Sequence, residues 1–181
     1  MEKPNCKCLP SQIYRSAEIK YGDKIMVEKI KTWKDNWNDI IRYILFQDER
    51  LKELMLVPSR VDIIGFIEKY FIENTSGDEI LTDEKVRVIY YDEEGTKTGN
   101  KDVKNVNKAF DIYVKEDALH NADRDRLKNR YDLIAERLRY LLTKDTYVYG
   151  MRFKYEDAYN LWTKTPGYKR YHVVFSYKKT I

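Results

Sequence analysis

The chain has 181 residues, 43% hydrophobic and 35% charged, with a formal net charge of +4. No run approaches the roughly 18–20 apolar residues of a bilayer-spanning helix, and 16 Tyr, 6 Phe and 3 Trp provide too much apolar surface for a disordered chain. The charge is divided: residues 121–181 carry 14 basic and 7 acidic side chains, a net +7, while residues 1–120 carry 20 and 23, a net −3. That division suits contact with another copy or with an anionic partner, and it lacks the dense basic stripe of a dedicated nucleic-acid binder.

Residues 1–31 read as an N-terminal arm, extended because Pro4 and Pro10 discourage helix, with a short strand near Ile25 and Val27. Met1-Glu2-Lys3-Pro4 leads into no apolar stretch of signal-peptide type, so synthesis and use in a cytoplasm are expected. Cys6 and Cys8 offer two thiolates where a closed zinc site needs four ligands, and they read as reduced thiols. His120 and His172 are the only histidines and have no metal-binding companion at a ligand spacing. Neither metal nor cofactor is expected.

Residues 32–181 read as a single α+β domain. Trp33, Trp37, Ile40, Ile41, Ile44 and Leu45 recur at three- and four-residue steps and predict a helix with one apolar stripe. Leu51, Leu54 and Met55 follow the cap candidate Asp48 and stop before Pro58. A third helix is predicted over Ile63, Ile64, Ile67, Tyr70 and Phe71, capped by Ser59 or Asp62 and ended by Asn74-Thr75-Ser76-Gly77. The period then drops to 2 in Val86–Tyr91 and Ala109–Val114, which read as strands around a long excursion, Asp92 to Lys108. Asn121 or Asp123 opens the longest predicted helix, running to Thr143, with Leu127, Tyr131, Ile134, Leu138, Leu141 and Leu142 as its inward stripe. Tyr147–Tyr155 and Tyr171–Tyr177 alternate as closing strands, joined by a loop with Trp162 and Pro166-Gly167. One mixed or antiparallel sheet, packed against a long amphipathic helix and flanked by additional N-terminal helices, is the expected fold.

Chemistry leaves little trace. No phosphate-cradling glycine loop precedes a helix, and no Gly-x-Ser-x-Gly occurs. Cys6 or Cys8 with His120 has no spacing in its favour as a nucleophile–base pair. Asp111, Lys115, Glu116 and Asp117 are the best set for a metal-dependent nuclease, but Asp111 alternates with Phe110 and Ile112 and more simply sits on an exposed strand face. Tyr147, Tyr149, Tyr155, Tyr159, Tyr168, Tyr171 and Tyr177, interleaved with Arg152, Lys154, Lys169 and Arg170, could stack bases, and a nucleic-acid-binding module built on this basic third is the alternative function. Core and interface roles are favoured for the same tyrosines, since each combines a large apolar ring with one polar tip.

The order of elements carries a resemblance. A strand pair with a long inner loop, Val86–Val114, precedes an amphipathic helix at Asp123–Leu142, and a final strand is introduced by Thr165-Pro166-Gly167-Tyr168. This pattern resembles the tail-terminator and neck proteins of tailed bacteriophages, and Pro166–Phe175 is similar to the family's final loop and strand. The resemblance implies a non-enzymatic structural virion protein, assembled in the host cytoplasm. It implies a ring, commonly of six copies, as adaptor or terminator between head connector and tail, touching other neck or tail proteins. Lys97, Lys101, Lys104 and Lys108 of the long excursion would then face a neighbouring copy or a channel carrying DNA.

Overall fold

The computed structural model describes residues 37–73, 84–93, 103–120, 128–143 and 153–180. The expected arm, Cys6, Cys8, Trp33 and the tyrosines at 147 and 149 lie outside the described residues.

Three short helices open the body: α1 (Trp37–Phe46), α2 (Glu49–Leu54) and α3 (Ile63–Lys69). Both predicted aspartate caps form. Asp48 accepts the Leu51 N–H at 2.7 Å and Asp62 the Gly65 N–H at 2.8 Å, each satisfying a donor that the first helical turn leaves unpaired. The chain leaves α2 through Leu56, a non-glycine residue at φ +57°, with Val57 N–H bonded back to the Lys52 carbonyl and Leu56 N–H to that of Glu53. These are the two bonds of a Schellman ending, here closed without glycine.

The third helix ends earlier than predicted. Tyr70 caps it, and Phe71 begins a three-residue strand, β1 (Phe71–Glu73), parallel to β2 (Val86–Glu93). Strand β3 (Val103–Lys115) pairs antiparallel with β2, and β5 (Tyr168–Thr180) lies beyond it, followed by β4 (Lys154–Leu161) at the edge. The spatial order is β1-β2-β3-β5-β4, a mixed five-stranded sheet. Helix α4 (Arg130–Thr143) has 14 residues, shorter than the predicted span, because Asn129 forms an isolated bridge with His120 instead of extending it. Its buried residues include Tyr131, Ile134, Leu138 and Leu142 of the predicted stripe, while Leu141 is half-buried, Ala135 takes an inward place and Leu127 lies outside the described residues. No helix among the described residues is long and apolar enough to cross a membrane.

The helices pack on one face of the sheet. There Val86, Val88, Tyr90, Phe110, Ile112, Val114, Val173 and Phe175 are buried with Ile41, Leu45, Leu51 and Phe66 from the helices. One aromatic from each strand lines up in spatial order. Phe71 lies 4.9 Å from Tyr90, Tyr90 5.9 Å from Phe110, Phe110 5.4 Å from Phe175, and Phe175 5.8 Å from Tyr155. Each such pair adds about 0.5–1.5 kcal/mol to the burial of its rings, so the row ties all five strands together.

Two strands differ from expectation. β4 occupies Lys154–Leu161, sharing only Lys154 and Tyr155 with the predicted strand Tyr147–Tyr155 and continuing through 156–161, read as loop, across a register shift between Tyr155 and Asp157. That irregularity breaks the apolar alternation on which the sequence signal depends. β3 begins at Val103, six residues before the predicted strand, and pairs with β5 along all 13 residues. Its first half carries few apolar side chains, so backbone pairing with β5 defines it there.

Candidate functional site

The second face of the sheet is polar at its centre. The backbone register sets Asp111 of β3 opposite Ile89 of β2 and His172 of β5, and sets Tyr113 opposite Arg170. Asp111 is fully buried and His172 is 2% exposed. One carboxylate oxygen of Asp111 lies 2.7 Å from His172 Nδ1, and the other accepts from Arg170 Nη2 at 2.7 Å. The opposite ring nitrogen of His172 lies 3.4 Å from Glu93 Oε1, so the imidazole stands between carboxylates of β2 and β3.

Aromatics frame these charges. The Tyr159 ring lies 5.0 Å from that of His172, and the Arg170 guanidinium sits 5.6 Å above Tyr113. Tyr113 joins Ile89 and Tyr168 in a small apolar cluster on this face. Burial alone would raise the Asp111 carboxyl, but the bonds from His172 and Arg170 outweigh it and hold its pKa below the ordinary aspartate value. Burial also opposes charge on Arg170, and Asp111 reverses that, raising the guanidinium. Tyr91 is pushed up by burial and then by the neighbouring Asp111 charge. Both Asp111 oxygens are thus engaged by β5, which makes the cluster a charged rivet across the sheet centre.

The proposed nuclease set is separated. Asp111 is buried in the rivet and not on an exposed face, because its partners on β5 come from 59 and 61 residues away and have no sequence signature. Glu116 and Asp117 lie in a 3-10 turn (Glu116–Ala118) after β3 and pair with Lys169 at 3.1 Å and Lys85 at 3.0 Å. Among the described residues no group of three or more His, Cys, Asp or Glu side chains is placed to hold a metal ion. His120 is exposed at the Asn129 bridge, and Cys6 and Cys8 lie outside the described residues.

The four lysines do not share one loop. Lys97 and Lys101 lie outside the described residues. Lys104 belongs to β3, where its backbone is in register with Lys179. Lys108 is also in β3 and only 2% exposed, its Nζ 2.6 Å from Asp92 Oδ1 and 5.3 Å above the Tyr90 ring. Lys108 therefore does not project from a loop in this chain: its side chain is buried in the strand and its ammonium pairs with the exposed Asp92, since the hairpin ladder continues past the point where the apolar pattern stops.

The tyrosines of the last third mostly serve packing. Tyr171 stacks on Tyr131 at 4.9 Å, Tyr177 packs on Phe153 at 5.2 Å, and buried Tyr168 donates to the Glu84 carbonyl at 2.8 Å. Their basic companions pair with acids: Lys154 with Glu156, Lys169 with Glu116, and Arg170 with Asp111. What does stand out is the loop between β4 and β5. Trp162 is 75% exposed there, the most exposed large apolar side chain of the described residues, and Tyr159, three residues earlier in β4, is 44% exposed.

The α+β sheet, with helices on one face and a polar rivet on the other, is accompanied by a family assignment. The model of the YomW family matches residues 38–177, most of the chain and nearly all of the described body, and the chain belongs to that family. Membership marks it as a phage-associated protein. Comparison with the curated proteins finds no match.

Proposed function

We propose that this chain is a structural virion protein of a tailed phage, acting as a ring-forming adaptor or terminator at the neck between head connector and tail. The observation that carries the reading is the element order within a phage-associated family. Helices, three strands, a helix and a closing strand pair build one body with the helices on one face of the sheet; apart from the three-residue β1, this is the order on which the neck resemblance rests.

Two further features support it. The sheet has unlike edges, a three-residue parallel strand β1 and an eight-residue β4, and copies joined through unlike surfaces form rings or filaments. The charged groups at the centre of the second face are engaged with one another, and an exposed tryptophan stands at one end of β4. Projecting aromatics are the side chains that anchor protein–protein contacts.

Native mass spectrometry and negative-stain images of the purified chain test the proposal, together with cross-linking in assembled particles. A closed ring of defined copy number, cross-linked to a connector or tail protein, is expected. A strict monomer in solution, with no copy in the particle, overturns it.

A further inference from the structure

Strands β3 and β5 run past the rest of the sheet. The ladder of β2 on β3 ends at Glu93 opposite Asn107, and that of β4 on β5 starts at Lys154 opposite Ser176. β3 and β5 stay paired for four more positions, Val103 with Thr180, Lys104 with Lys179, Asn105 with Lys178 and Val106 with Tyr177. Among the described residues no other strand lies beside these pairs, so they form a two-stranded ribbon, about 14 Å long at about 3.4 Å per residue. Its base is seated in the body: Tyr177 is buried with its ring 5.2 Å from that of Phe153, and Val106 packs against the core. We infer that this ribbon is a binding site for the phosphate backbone of duplex DNA.

Charge carries the assignment. The eight residues hold three lysines, Lys104, Lys178 and Lys179, and no acid. Five other lysines, Lys52, Lys85, Lys108, Lys154 and Lys169, each pair with a carboxylate. Lys178 is exposed and pairs with none among the described residues. Lys104 and Lys179 occupy directly opposite backbone positions. Like charges at opposite positions of a ladder repel, and an anion held at the ribbon turns that repulsion into attraction.

Shape and residue type narrow the anion. A two-stranded ribbon is one of the elements that the major groove of B-DNA, about 12 Å wide, admits, whereas the deep, narrow major groove of A-form RNA excludes it. Lysine ammonium groups are point charges suited to phosphate, and phosphate contacts fix position without carrying sequence information. The contact is therefore independent of base sequence. It also stands apart from the ring reading, since a single copy would bind through the same ribbon.

Fluorescence anisotropy of a short, mixed-sequence DNA duplex, titrated with the full chain, tests this. A chain with Lys104→Gln, Lys178→Gln and Lys179→Gln should bind at least about tenfold more weakly at low salt. Its slope of log affinity against log salt should be shallower by about three, one for each lost phosphate contact. Lys52→Gln, Lys154→Gln and Lys169→Gln together remove the same charge from lysines already paired with acids, and should leave both quantities as in the parent. Arginine at the three ribbon positions should keep the binding. Urea midpoints confirm folding, and that of the ribbon variant should equal or exceed the parent's, because a like-charged pair is removed.

Equal weakening by the two glutamine triples would assign the attraction to net charge. A parent chain that binds no duplex at low salt would leave the lysines only the task of blocking strand pairing at a sheet edge. Either result overturns the site. Displacement of the labelled duplex by polyglutamate as readily as by unlabelled DNA overturns DNA as the partner and points to an acidic protein. The ring reading survives each of these results, because it is decided by copy number and not by DNA affinity.

Discussion

Asp111 shows how one side chain changes meaning with its surroundings. In sequence it is a polar interruption of an apolar strand; in the sheet it is fully buried and bonded to both His172 and Arg170. Removing one partner of a buried charge cluster leaves the others desolvated and uncompensated. Asp111→Asn is therefore expected to cost about 3 kcal/mol, read as a lowered urea midpoint. The sign of the pH effect follows from the depressed carboxyl. Its stabilising contribution is complete above the unfolded aspartate value, near pH 4, and is lost as pH falls through the lower folded value. The gap between parent and variant should thus be wide at pH 5 and narrow on acidification below pH 4. An unchanged gap across that window would assign the stabilisation to shape and not to charge.

Secondary-structure elements end where local geometry dictates, and α2 supplies a case open to measurement. Leu56 holds the left-handed position of the Schellman ending at φ +57°, a conformation costing a non-glycine residue about 1 kcal/mol or more. It is also 40% exposed, so its side chain contributes only part of a full burial term. Leu56→Gly is expected to raise stability by about 0.5–1 kcal/mol in thermal or urea unfolding, with the fold unchanged. Helix α4 behaves in the opposite way. Leu138 is fully buried against the sheet, so Leu138→Ala should cost about 2–5 kcal/mol, and Leu138→Asp, which buries an unpaired carboxylate, should prevent folding. A folded Leu138→Asp chain by circular dichroism would place this helix face in water.

At the scale of the whole molecule, the proposed role depends on which side chains are left over once the body has formed. Most tyrosines and basic residues of the last third are consumed in ring packing and ion pairs, whereas Trp162 remains in water. Assembly through that tryptophan predicts that Trp162→Ala lowers oligomer size, read by native mass spectrometry, without a matching change in unfolding midpoint. It also predicts that high salt weakens assembly only modestly, since stacking of apolar rings is not screened as exposed ion pairs are. A collapse of the oligomer in moderate salt would favour contacts made mainly by the divided charge of the chain.

The amino-acid order alone determined the elements with a strong local signal. The stripe of α4, the Asp48 and Asp62 caps, and the apolar halves of β2, β3 and β5 all follow from side-chain periodicity and hydrogen-bonding capacity within a few residues. The α+β class follows from the order in which those periods change. Other features required distant chain to meet. β1 is three residues long and exists because β2 accepts it in parallel register; β4 is hidden by its own irregularity; the polar half of β3 is held by β5. The fates of Asp111, Lys108 and Trp162 belong to the same group. Two became internal and one remained outside because of partners contributed by neighbouring strands, and cross-strand register is set by the assembled sheet, beyond the reach of any local pattern.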